Sequence, residues 1–161
     1  RRKTPKSCRY MITIIEGDAH DIASIMPVME HAFDPAFGEA WTSAQCLSAL
    51  AMPDCRLLIA KSGEDVAGFA ISRWVLDIEE LLMIGVAPSW QRQNIGSMLM
   101  SQIVTLAQEE SRLKLFLEVR EGNIAHDFYL AFGFQPIGRR KQYYRGSNGF
   151  RPDAITMAMN L

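Results

Sequence analysis

One stretch of the chain has residue types in an order that could do chemistry: Val86-Ala87-Pro88-Ser89-Trp90-Gln91-Arg92-Gln93-Asn94-Ile95-Gly96-Ser97. An apolar strand enters a short polar loop, and a helix with an apolar stripe follows at once. Such a junction aims unpaired backbone N–H groups of a helix N-terminus at one point, which carries roughly half a positive charge from the helix dipole. That point suits a phosphate or pyrophosphate. A Walker-type loop is excluded because Gly96-Ser97-Met98 lacks the required lysine. A dinucleotide loop is excluded because only one of its three glycines, Gly96, is present.

A second stretch, Leu117-Glu118-Val119-Arg120-Glu121-Gly122-Asn123, runs on to Ala125, Phe128-Tyr129 and Gly133-Phe134. It offers a carboxylate at the end of an apolar strand and a phenol on a short helix. Together they could accept and donate protons. A third stretch, Gly138-Arg139-Arg140-Lys141-Gln142-Tyr143-Tyr144 and then Asp153 to Met157, is a basic, aromatic loop followed by a strand.

These groups must be held by a fold, and the chain's 161 residues make about one domain. A net charge of −1 gives no field to recruit nucleic acid, and no basic stripe with interleaved aromatics is present. No apolar run approaches a membrane span. Cys8, Cys46 and Cys55 are odd in number and scattered, which suits a reducing, cytoplasmic setting. Neither they nor His20, His31 and His126 have metal-ligand spacing, so no metal is expected. Residues 1–10 are strongly basic and read as an upstream extension or remnant ahead of Met11, with a tail for ribosomal RNA as the rival reading. The working domain is 11–161.

Hydrophobic periodicity places strands at Met11–Glu16, Arg56–Lys61, Asp65–Val75, Glu79–Val86, Leu113–Val119, from Phe134 to Ile137, and Ala154–Met159. Asp18 is placed to cap a helix whose stripe is Ile22, Ile25, Met26, Met29 and Phe33, with a kink or break expected at Pro27. Ser43 can cap a second helix to about Ala51; Ile95–Glu110 and Ala125–Phe132 are the third and fourth, and Gly133 closes the last. The order β-α-α-β-β-β-α-β-α-β-β implies one α/β domain around a mixed, mostly antiparallel sheet flanked by about four helices.

The strand–Gln-x-x-x-x-Gly–helix loop resembles the acetyl-CoA pyrophosphate loop of the GNAT family of N-acetyltransferases. Asn94 stands where that family usually has glycine, and asparagine tolerates a left-handed backbone. Phe128-Tyr129-Leu130-Ala131-Phe132-Gly133-Phe134 matches the family's second signature in register, with the Asn123-to-Tyr129 spacing one residue short. Val75-Leu76-Asp77, Ile84-Gly85-Val86, Leu117–Arg120, Arg139–Tyr144 and Asp153–Met157 resemble the branch that acetylates the N-terminal alanine of a small-subunit ribosomal protein. Departures are an extra residue before Tyr143 and Pro152 in place of an acid.

The resemblance implies acetyl-CoA as co-substrate and a protein N-terminus as partner, with no membrane or specific nucleic acid and a monomer or weak dimer. It implies that Arg92, Gln93, Asn94, Ile95, Gly96 and Ser97 cradle the pyrophosphate and that Asn123 touches the cofactor. Ile84, Gly85 and Val86 would carry the thioester beside a bulge, with a backbone N–H, that of Val86, facing the acetyl oxygen. Glu118 would be the base, with Glu79 and Glu80 as runners-up, and Tyr129 the acid. Trp41, Tyr143 and Tyr144 would wall the acceptor, in the loops Phe33–Trp41 and Tyr143–Pro152.

The chemistry is modest. An α-amino group with pKa near ~8 is ~10% neutral at pH 7 against ~0.04% for lysine, a roughly two hundredfold easier acceptor. One carboxylate base, direct or through a water, is then enough. A phenol near ~10 protonating a thiolate near ~8.5 starts only ~2 kcal/mol uphill. The alternatives are plain: Glu118 solvated or salt-bridged, with Arg120 as the partner the sequence offers; Tyr129 packed with its hydroxyl on a carbonyl; the aromatics as lids. For the whole chain they are an acetyltransferase for a small amine or lysine, and a CoA-binding domain without turnover.

Overall fold

The computed structural model describes residues 11–161, so the leader at 1–10 lies outside the described residues. The strands are β1 (Thr13–Gly17), β2 (Cys55–Ser62), β3 (Asp65–Val75), β4 (Ile78–Val86), β5 (Lys114–Arg120), β6 (Gln135–Arg140) and β7 (Ala154–Asn160). The helices are α1 (Ile22–Ala32), α2 (Ser43–Leu50), α3 (Ile95–Glu109) and α4 (Ala125–Phe132). They form one α/β domain around a seven-stranded sheet ordered β1-β2-β3-β4-β5-β7-β6. Every neighbouring pair is antiparallel except β4 and β5.

The sheet is covered on both faces, and strand alternation shows how. On β2, Leu57 and Ile59 pack with Ile22, Ile25, Met29 and Cys46 of α1 and α2, whereas Leu58 and Ala60 pack with Leu99, Met100 and Ile103 of α3. A one-residue slip would exchange the two sets, so burial on both faces fixes the register. No described helix is long and apolar enough to cross a membrane.

Local chemistry sets the element ends. Asp18 caps a short 3-10 turn at Ala19–Asp21, which runs directly into α1. The expected break at Pro27 does not occur, and α1 continues to Ala32. Pro27 and Ala23 lie on the exposed face, where the Ala23 carbonyl that loses its donor can turn to water. Thr42, rather than Ser43, caps α2: its hydroxyl accepts from Gln45 N at 3.2 Å, and Gln45 Oε1 accepts from Thr42 N at 2.8 Å.

The feature that positions the site is the parting of β4 from β5. They pair only from Ile78–Leu81 against Lys114–Leu117. On the other side of β4 the register with β3 passes from Ile71↔Met83 to Ser72↔Leu81, leaving Leu82 as an extra, bulged residue. A bulge bends its strand, and here it coincides with the end of β4–β5 pairing. Beyond it the two strands are no longer bonded to each other.

Candidate active site

The parted edge of β4 presents backbone groups. Ala87 N donates to Ala67 O at 2.9 Å, so by antiparallel alternation Gly85 and Met83 bond toward β3. Ile84 and Val86 then direct their N–H and C=O groups to the opposite side, where β5 has left. Gly85 is buried; a methyl there would sit 3.0 Å from both Ala32 Cβ and the Phe69 ring.

The next turn delivers the chain to α3. Pro88–Trp90 form a 3-10 turn, and both Arg92 (φ 60°) and Asn94 (φ 63°) adopt the left-handed backbone. Such φ values are uncommon outside glycine, asparagine being among the exceptions. The first intrahelical bond runs from Met98 N to Asn94 O at 2.9 Å, so the N–H groups of Ile95, Gly96 and Ser97 precede the ladder. Asn94 makes no side-chain cap bond to them. A methyl on Gly96 would meet only the Phe128 ring at 3.7 Å and Val86 Cγ2 at 3.9 Å. It would project into the cavity those side chains line.

That cavity, of about 640 Å³, is walled by Ile84, Gly85, Val86, Arg92, Asn94, Ile95, Gly96, Ser97, Asn123 and Tyr129, among others. Gln93 is not in the wall; its Nε2 donates to Ser89 O at 3.3 Å. Asn123 Oδ1 accepts from Ala125 N at 2.9 Å, so part of its side chain caps α4. A second cavity of about 210 Å³ adjoins the first and is walled by Glu80, Glu118, Trp41, Tyr143 and Tyr144, with Tyr129 shared by both. The loops bearing Trp41 and Tyr143 touch: a methyl on Gly38 would lie 3.2 Å from Arg145 O, and one on Gly146 3.3 Å from Ala36 O.

Strand alternation on β5 separates core from site. Leu115, Leu117 and Val119 are buried against α3 and α4, while Phe116, Glu118 and Arg120 face the other way. Glu118 Oε1 lies 2.9 Å from Arg140 Nε, so its partner is Arg140 and not Arg120. Arg120 instead lies 3.2 Å from Glu39, with its guanidinium 3.6 Å above the Phe37 ring. Glu80 pairs with the half-exposed Arg73 at 2.7 Å.

Glu79 lies apart from the two cavities. It is fully buried, accepts from Ser72 Oγ at 2.7 Å, and lies 3.2 Å from Arg112 and 3.8 Å from Arg56. Both guanidiniums stack on Trp74, at 4.4 and 4.9 Å from its centroid. Desolvation holds the Glu79 carboxyl above its ordinary value despite these cations.

The Tyr129 ring makes edge contacts with Phe128 (5.4 Å) and Phe134 (5.9 Å). No described protein group accepts from its hydroxyl, which leaves the carbonyl-anchored alternative without support. Burial, and secondarily the charge of Glu39, push its phenol well above the ordinary value. The Tyr144 phenol is raised by the same two causes, with Glu118 adding to them. Sequence reasoning missed Glu39, Arg120 and Phe33, which line both cavities. Arg120 could have been found two residues beyond Glu118 on one strand face; a carboxylate in an aperiodic loop gives no such signal.

Known proteins resemble this chain in sequence and in fold. The [ribosomal protein bS18]-alanine N-acetyltransferase of Haemophilus influenzae is 36% identical over 96 residues, covering 60% of this chain and 66% of that one. The protein of the same description from Escherichia coli K12 is 31% identical over 137 residues, 84% of this chain and 91% of its own. The crystal structure of the ribosomal-protein-S18-alanine N-acetyltransferase from Escherichia coli matches with a TM-score of 0.84 at 30% identity, covering 93% of this chain and 94% of that one. The model of the acetyltransferase (GNAT) family matches residues 24–134, more than half of the sequence, and the chain belongs to that family.

Proposed function

We propose that the protein transfers an acetyl group from acetyl-CoA to the N-terminal α-amino group of a protein, the N-terminal alanine of a small-subunit ribosomal protein. The observation that carries this reading is the meeting of two cavities at the parted β4 and β5, with Tyr129 in the walls of both. The larger has the α3 N-terminus and a glycine whose absent methyl leaves room for a ligand. The smaller is bounded by two touching loops, which suits a narrow chain end. The substrate itself rests on the names of the bacterial relatives.

Acetyl-CoA supplies an activated thioester. The N–H groups of Ile95, Gly96 and Ser97 hold its pyrophosphate, assisted by Arg92. The Val86 N–H, aimed at the gap and already oriented, steadies negative charge on the acetyl oxygen. The amine nitrogen bonds to the acetyl carbon as the carbon–sulfur bond breaks. Glu118, directly or through a water, takes the proton that the nitrogen sheds. Tyr129 gives its proton to the departing thiolate and recovers one from solvent. The burial that raises the phenol also penalises a thiolate beside it, so the difference between the two governs the transfer.

The test is mass spectrometry on peptides led by alanine or serine, or carrying only an internal lysine, incubated with acetyl-CoA. We expect acetylation at the alanine α-amine. Preference for lysine would overturn the acceptor assignment, and turnover unchanged in Glu118→Gln and Tyr129→Phe would overturn the proposed roles.

A further inference from the structure

The cavities share six wall residues: Phe33, Glu39, Ile84, Arg120, Asn123 and Tyr129. A group passing from a donor in one to an acceptor in the other crosses this junction. Glu39 is its single carboxylate. Glu118 and Glu80 line the smaller cavity only, and Asp34 the larger only. The side chain of Glu39 is also the most enclosed of the groove carboxylates, 11% exposed against 19% for Glu118 and 33% for Glu80.

Among the described residues the one polar partner of the Glu39 side chain is Arg120, whose Nε donates to Oε1 at 3.2 Å. Arg120 also stacks on the Phe37 ring and donates from Nη1 to Glu121 O at 3.4 Å, so only its Nε is engaged with Glu39. Oε2 has no hydrogen-bond partner among the described residues and keeps its acceptor capacity. Desolvation outweighs Arg120 in setting the Glu39 carboxyl above its ordinary range, the mark of an anion with room for another cation. The remaining walls at the junction are Phe33, Ile84, Tyr129 and Asn123, whose Oδ1 already accepts from Ala125 N; the two apolar side chains would strip water from an arriving ammonium without replacing it.

We propose that Glu39 is the acceptor-binding carboxylate: Oε2 receives the α-ammonium of the incoming chain end while Oε1 stays on Arg120. Glu39 thereby places the nitrogen at the junction of the two cavities; the ammonium gives one proton to solvent, which frees its lone pair, and Glu118 takes the second as the nitrogen attacks. The inference rests on the reading of the chain as an N-terminal acetyltransferase. The 33–42 loop then selects for a charged chain end, beyond simply enclosing it.

Binding to the CoA-saturated protein tests this without turnover. Calorimetry compares an alanine-led peptide with its desamino counterpart, in which hydrogen replaces the amine. Wild type is expected to favour the amino peptide by about 10- to 100-fold, the range for a hydrogen bond to a charged group. Glu39→Gln keeps an acceptor for Arg120 and should bring the ratio near one while leaving desamino binding within about twofold. Glu118→Gln should keep the wild-type ratio. Glu39→Asp, which retains the charge, should keep part of the preference.

Equal binding of both peptides by wild type, or an unchanged ratio in Glu39→Gln, overturns the proposal. Equal weakening of both peptides in Glu39→Gln overturns it too, since that would mark a loop brace. A wild type that acetylates the peptide while Glu39→Gln retains the preference defeats this inference alone. A wild type that acetylates no chain end defeats the functional reading beneath it.

Discussion

Replacing Tyr129 by phenylalanine removes one oxygen and leaves the ring in place. The edge contacts to Phe128 at 5.4 Å and Phe134 at 5.9 Å involve carbon only. The lost hydroxyl has no hydrogen-bond partner among the described residues, so no buried group is orphaned by its removal. Stability should therefore change by less than ~1 kcal/mol, roughly 2–4 °C in melting temperature for a chain of this size. The rate should change far more. A positioned general acid contributes ~10²–10⁴-fold. A thiolate with pKa near ~8.5 leaves tolerably well unprotonated, so we expect the lower end, a ~10²-fold fall in kcat or ~2.7 kcal/mol. KM for peptide and acetyl-CoA should stay within about threefold, because the step lost is made only in the transition state.

The assay is thiol release followed with a chromogenic thiol reagent, across pH, beside thermal melts. Tyr129 must be protonated to act, and burial followed by the charge of Glu39 raises its phenol. The wild-type rate should consequently not fall as pH passes 10, the ordinary phenol value. A Tyr129→Phe enzyme with wild-type kcat would show that the phenol is no acid. One whose activity falls in step with a melting temperature lowered by more than 10 °C would show that it is core.

Two further substitutions separate site from scaffold. Gly96→Ala adds a methyl that meets protein only at 3.7–3.9 Å, at the second position of α3. It should raise stability by up to ~1 kcal/mol through helix propensity, yet weaken CoA at least tenfold by calorimetry; equal or tighter CoA binding would remove the pyrophosphate from this helix end. Glu79→Ala removes one of the two carboxylates that Arg56 and Arg112 share, leaving them Glu110, and takes the acceptor from the Ser72 hydroxyl. With Glu110 still pairing both guanidiniums, it should cost ~1–3 kcal/mol in denaturant unfolding, with kcat per folded molecule unchanged. A kcat lost without loss of stability would return Glu79 to the catalytic candidates.

The element order was legible in the sequence because burial on both faces of the sheet writes short unbroken apolar runs into strands such as Leu57–Ala60. The same burial writes a helical stripe into Ile95–Glu109. The helix-end chemistry at Asp18 and Gly133 was equally plain, since caps are local. Pro27 misled because its effect depends on which side of the helix faces water. Thr42 displaced Ser43 because a capping box needs Gln45 three residues on.

Tertiary structure alone decided who meets whom. Glu118 finds Arg140 rather than Arg120 because β7 lies between β5 and β6 and brings the β6 end beside it. Arg120 is taken by Glu39, 81 residues away, across the loop after α1. The opening between β4 and β5 depends on Leu82, whose bulge is a property of the register with β3. Periodicity and caps are written in neighbouring residues, so sequence specifies them. Ion pairs, bulges and shared cavities depend on strand order and splay, and only the folded chain assigns them.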